Sequence, residues 1–267
     1  MGNRNFTGQC RLCLEIAELR NSHLLPKAAY RHMRRGKSRG INQVMFADQS
    51  VRLGDHQVTA SLLCDSCEQR FREHGEDWVM ANCYRGPGEF RFQEILERHE
   101  PLRTVEENRI WAGKGILGLD MDAVIYFACS VFWRAGTYKW SRGRMRLSPV
   151  HIELGRYLEP LRLFLLDKAT FPSDMALFVR ISSWPRNGKY GPLSGGMNLP
   201  ESGRVEGLRA HVFSVPGITF HMLVGKQISH GLYDFCCAPF SEQYVKMIPS
   251  ADREHGDYVL SLFEKRM

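Results

Sequence analysis

The chain has 267 residues, 43% of them hydrophobic and 24% charged, which is enough apolar material for one large domain or two modest ones and excludes long disorder. No apolar stretch approaches the roughly 18 residues that a membrane-spanning helix needs, so a membrane partner is not expected. The formal net charge of +7 points to a polyanionic partner, most simply nucleic acid.

The opening segment, MGNRNFTGQCRLC, has no apolar core behind a basic flank and does not read as a secretory signal. A reducing, cytoplasmic setting is therefore expected, in which paired cysteines serve metals rather than disulfides. Residues 43–53 and 57–63 read as two short strands joined at Gly54-Asp55, a hairpin turn. A helix follows from Asp65 to residue 84, opened by Asp65-Ser66-Cys67-Glu68 in the manner of a capping box. Cys67, Phe71, His74, Trp78 and Ala81 fall on one face of that helix at spacings of three and four.

Residues 86–114 are charged and read as a helical connector. From residue 115 to 267 a second, larger α+β domain is expected. Residues 120–134 are apolar nearly all round and predict a central buried helix. Residues 151–168 predict an amphipathic helix. Residues 175–184, 208–215, 218–224 and 232–238 have strand character. Between them residues 185–203 are rich in Gly, Pro and Asn and predict a long loop, with Arg186-Asn187-Gly188-Lys189-Tyr190 a candidate lid or reading loop.

The cysteines divide into two groups. Cys10/Cys13 and Cys64/Cys67 form two Cys-x-x-Cys pairs, whereas Cys83, Cys129, Cys236 and Cys237 sit in apolar surroundings as buried thiols. Four thiolates suit tetrahedral Zn2+, and the two-residue gap lets both sulfurs of a pair converge on one ion. A zinc filled by four thiolates has no open position for water, so this metal is structural. It staples the start of the segment to the start of its helix.

Between the pairs stands Ser22-His23-Leu24-Leu25-Pro26-Lys27. The order of a cysteine pair, a His followed by two apolar residues and Pro, a hairpin, and a second pair opening a helix resembles the HNH endonucleases. These are also called ββα-metal nucleases, here of the subclass braced by two Cys-x-x-Cys knuckles. The resemblance covers roughly residues 8–85 and implies a zinc-braced ββα-metal module over 1–85, so with the helices and strands read in the second half the expected fold class is α+β. The stretch SVFWR at residues 130–134 is similar to bacterial proteins that carry such a module at their N-terminus.

The resemblance makes His23 the general base that activates water against a phosphodiester, a role suited to imidazole because its pKa lies near neutrality. It also implies a catalytic divalent ion, Mg2+ or Mn2+. Family members hold that ion through an acid just before the His and a His or Asn after the second knuckle. Here those positions are Ser22, a feeble ligand, and Glu68, a good oxygen donor. His74 and Glu76 are further candidate ligands. Helical phase favours His74, while Glu76 points elsewhere unless Gly75 distorts the helix. The family's Asn that orients the base corresponds to Asn42.

Lys27, Arg31, Arg34, Arg35, Lys37 and Arg39 follow directly after His23 and are placed to neutralise phosphates flanking a cut. A second basic run over residues 134–146, interleaved with Trp133, Tyr138 and Trp140, offers further contacts. The expectation is a metal-dependent nuclease acting on nucleic acid, most simply DNA, in defence against foreign DNA and beside a possible protein partner. The alternative is a non-catalytic zinc module that binds nucleic acid or a protein. A third reading makes the second domain a sensor that licenses the nuclease.

Overall fold

The computed structural model describes residues 6–34, 44–47, 50–53, 57–86, 88–141, 149–183, 197–205, 207–226, 228, 236–239 and 242–249. Strands β1 (Phe6–Gln9), β2 (Ile16–His23) and β5 (Thr59–Cys64) make an antiparallel sheet in the order β1-β2-β5. The run 57–63 thus pairs with β2 and not with residues 43–53. That earlier run is its own hairpin, β3 (Val44–Ala47) with β4 (Ser50–Leu53). A short helix, α1 (Lys27–Arg34), leaves β2 after Leu24, Leu25 and Pro26, all buried.

The register of β2 against β5 shifts between Leu19 and Asn21. Strict alternation from buried Leu19 would turn Asn21 inward and Ser22 outward. The irregularity reverses that phase, leaving Asn21 exposed and Ser22 buried.

The long helix expected from Asp65 is present in three pieces: α2 (Asp65–Phe71), a π-helical turn (Arg72–Glu76) and α3 (Asp77–Asn82). Its N-cap is Cys64, without a side-chain cap bond, so the capping box is not formed; Asp65 instead pairs with Arg20 at 2.8 Å. The π turn changes the helical phase. Cys67 and Phe71 are buried as expected, but the stripe continues through Gly75, Val79 and Met80, while His74 and Ala81 are exposed. The cause is close approach: a Cβ at Gly75 would lie 2.8 Å from the Phe127 nitrogen and 3.0 Å from the Ala123 oxygen of the next major helix.

That helix is α5 (Met121–Thr137), N-capped by the Asp120 carboxylate, which accepts from Ala123 N–H at 2.9 Å. It is apolar nearly all round because it is covered on two sides. Tyr126 and Trp133 meet Phe71 edge-on, while Phe127 and Phe132 meet Phe213. Phe213 lies on a seven-stranded sheet made of β6 (Arg103–Val105), β7 (Asn108–Ala112), β8 (Met175–Ser183), β9 (Asn198–Val205), β10 (Leu208–Val215), β11 (Ile218–Val224) and β12 (Tyr244–Pro249). Their order is β6-β7-β12-β8-β11-β10-β9, with Phe213 on β10. Neighbours are antiparallel except β8 and β12, which run parallel.

Several local expectations change. Among the described residues of 86–114 the chain is helical only at α4 (Arg91–Leu96), and β6 and β7 from this stretch join the large sheet. The helix expected over 151–168 is limited to a 3-10 turn (Gly155–Tyr157) and α6 (Leu158–Leu165). The end of the expected 185–203 loop is strand β9, and residues 186–190 lie outside the described residues. Most of the expected 232–238 strand also lies outside them, and Ala238 forms a single bridge to Leu177. One cluster of buried residues runs from Cys10 through α5 to Met247. Among the described residues no helix is long and apolar enough to cross a membrane.

Candidate metal centre and the residues beside it

Cys10 and Cys13 sit on the tight turn after β1, where Leu14 N–H bonds back to the Cys10 carbonyl at 2.9 Å. Cys64 ends β5 and Cys67 lies in the first turn of α2, so pairing of β2 with β5 carries the second knuckle onto the first. The four sulfurs all lie within 4.8 Å of one another, and Cys13 Sγ is 3.8 Å from Cys64 Sγ. A tetrahedron with Zn–S bonds of about 2.3 Å has edges of about 3.8 Å. The cluster can hold a metal ion, and its donor set suits zinc. All four are free thiols.

The surroundings favour thiolate. Cys64 N–H points at Cys10 Sγ at 3.4 Å, and Ser66 Oγ is 3.2 Å from Cys64 Sγ. The hydrogen bond with Cys67 pulls the Cys10 thiol down to about 4, while the same bond drives Cys67 upward. A bound cation displaces the shared proton and relieves that opposition.

His23 is the last residue of β2 and is partly buried. Its Nε2 lies 2.7 Å from Gln57 Oε1, which can only accept, so Nε2 carries a proton and neutral His23 keeps its lone pair on Nδ1. Burial, aided by the charges of Lys27 and Arg134, holds the imidazole below its ordinary range, against the Gln57 bond. The His23 carbonyl accepts from Arg134 Nη1 at 2.7 Å.

Glu68 and Glu76 approach the same guanidinium differently. Arg134 Nη2 lies 2.5 Å from Glu76 Oε1, a bond made possible by the π turn, which swings Glu76 inward. Glu68 meets the hydroxyl of Ser22, which also accepts Leu63 N–H at 3.2 Å. Its Oε1 is buried without a hydrogen-bond partner, and burial pushes its carboxyl up despite the nearby Arg134 charge.

His74, preferred on helical phase, does not join this group. It is exposed, bonds the Arg70 carbonyl at 3.0 Å and lies tilted against the Tyr126 ring at 5.3 Å between centroids. There it lines a separate recess of about 550 Å3 with Glu73, Asp122, Phe164 and others. Among the described residues the four cysteines are the only group of three or more His, Cys, Asp or Glu placed to share an ion.

Lys27 and Arg31 are exposed on α1, as a phosphate-binding face requires. Arg34 ends α1, with nothing described of its side chain; Arg35, Lys37, Arg39 and Asn42 lie outside the described residues. The second basic run is corrected at its start: Arg134, Trp133 and Trp140 are all buried, and Trp140 Nε1 donates to the Arg134 carbonyl at 2.8 Å. Arg134 and Gln57 were missed as site residues. The one signal for Arg134 was a lone charge near the end of an apolar helix; Gln57 gave none.

Comparison with known protein families, characterised proteins and solved structures found no match to this chain.

Proposed function

We propose that this chain is a zinc-braced, metal-dependent endonuclease of HNH type that hydrolyses nucleic-acid phosphodiester bonds. The observation that carries the reading is the held state of His23. With Nε2–H on Gln57 and the imidazole kept neutral by burial, Nδ1 is a base at neutral pH. In the reaction it removes a proton from water, the water oxygen attacks phosphorus, and the bond from phosphorus to the leaving sugar oxygen breaks, that oxygen taking a proton from solvent water.

The antiparallel β2–β5 pair running into α2, with the metal centre at its base, supports the same reading. Lys27 and Arg31 lie on the helix that follows His23, where phosphate oxygens flanking the cut need positive charge. Glu68, with its buried open oxygen, is the residue that would hold a catalytic Mg2+ or Mn2+. An ion held there would supply positive charge to the leaving oxygen. A part in defence against foreign DNA, with a protein partner, belongs to this reading through the resemblance alone.

One observation favours a second reading, a zinc module that binds nucleic acid without cutting it: Glu76 Oε1 is engaged by Arg134, and among the described residues Glu68 belongs to no group of three or more His, Cys, Asp or Glu placed to share an ion. Plasmid nicking with Mg2+ or Mn2+ decides between them. Cleavage by the wild type that vanishes in His23→Ala supports the nuclease. DNA binding without cleavage supports the module.

A further inference from the structure

We infer that Arg134, contributed by α5, is the positioning residue for His23, gripping its backbone carbonyl while Gln57 grips its ring. This rests on His23 being the base. Arg134 is 1% exposed, and a guanidinium so buried is tolerated only where its donors are used. Nη1 donates to the His23 carbonyl at 2.7 Å, Nη2 to Glu76 at 2.5 Å and to Ser130 Oγ at 3.1 Å, and Nε to the Ser130 carbonyl at 3.3 Å. The Phe71 ring covers its face at 5.1 Å.

Each partner has a separate task. Ser130, one turn earlier on α5, fixes the arginine rotamer. Glu76 neutralises the charge, and it reaches the guanidinium because Gly75 lets the π turn press against α5. That leaves Nη1 as an arm directed at β2. His23 is then held at two points, its peptide plane by Arg134 and its ring by Gln57. The resemblance gives an orienting task to Asn42, which lies outside the described residues; Arg134 adds a hold on His23 from a helix of the second half.

The test uses the full-length, zinc-loaded chain and three variants: Arg134→Gln, Arg134→Lys and the pair Arg134→Met with Glu76→Met. Two quantities are read: plasmid cleavage with Mn2+, separated into kcat and KM, and the 15N resonances of the His23 ring. For Arg134→Gln, kcat falls about a hundredfold while KM for DNA stays constant, since misplacement of a base by an ångström has that scale. Lys restores part of the loss, and the ring changes from one Nε2–H tautomer to a mixture. Wild-type kcat with an unchanged ring signature in Arg134→Gln overturns the inference. If the wild type does not cut DNA, the nuclease reading fails separately and the ring resonances alone decide whether Arg134 positions His23. If Arg134→Gln does not fold, the Met pair removes both buried charges together and carries the same two readouts.

Discussion

Arg162 on α6 donates from Nη1 to the backbone carbonyl of Leu12 at 2.6 Å, inside the turn that presents Cys10 and Cys13. Its Nε and Nη2 are both held by Glu159 at 2.7 Å, so the guanidinium is set for this bond. The first knuckle is therefore braced by the second half of the chain. Removing a charge-assisted bond of this kind costs about 1.5–3 kcal/mol. Arg162→Ala is expected to lower urea stability by that amount and to speed metal loss to a chelator. An unchanged chelation rate would show that the bond does not brace the knuckle.

The metal should be needed for the small sheet. Cys67→Ser removes a ligand, and the expected loss is on the order of 3–5 kcal/mol, because metal binding here is part of folding. Elemental analysis of wild-type protein should find about one zinc per chain. Hydrogen exchange in β1, β2 and β5 should rise before that in α5. Clean protein without zinc, or a Cys67→Ser variant with native protection, sinks the metal assignment.

Gly75 has no room for a side chain. Because the clashing atoms are backbone atoms of Phe127 and Ala123, α5 must shift to admit even a methyl group. Gly75→Ala is expected to destabilise by about 1–2 kcal/mol despite alanine's better helix propensity, the overpacking outweighing a gain of about 1 kcal/mol. Thermal unfolding measures it; a stabilised variant would mean the π turn is not imposed by this contact.

His211 gives stability a pH dependence. Burial pulls its imidazole down to about 4, with Nδ1 at 2.9 Å from Ser202 Oγ. The folded value lies below the unfolded one near 6.5, so between those pH values the unfolded chain takes up a proton that the native site refuses. Stability should fall as pH drops from 6.5 to 4, by about 3 kcal/mol for this group. His211→Asn should flatten that slope in urea titrations at several pH values, and an unaltered slope would exclude His211 as its source.

Glu68→Gln separates stability from activity. The carboxyl is raised by burial, so ionised Glu68 destabilises the folded chain at neutral pH, and the neutral amide should leave stability equal or higher. If Glu68 holds the catalytic ion, cleavage falls at least about a hundredfold in the same variant. Full cleavage by Glu68→Gln would remove Glu68 from the site.

The helix phase from Cys67 onward shows how sequence reasoning reached its limit. Spacings of three and four placed His74 inward and Glu76 outward, which holds for an unbroken α-helix. The π turn inserts one residue per turn and exchanges their faces. Gly75 was the visible sign, but a glycine alone does not say which way a helix yields. The two-strand expectation failed for a related reason: residues 43–53 and 57–63 are neighbours in sequence, yet β5 takes its partner from residues 16–23.

The sequence by itself determined the four-cysteine cluster, the buried helix α5 and the mixture of helices and strands. Those features are written in short-range spacing, which local geometry converts directly into shared faces or shared ligands. Only the tertiary structure decided that Arg134 grips His23, that Glu76 rather than His74 turns toward it, and that α6 braces the first knuckle. Such partners are distant in the chain, and they meet because one core packs α5 between two layers.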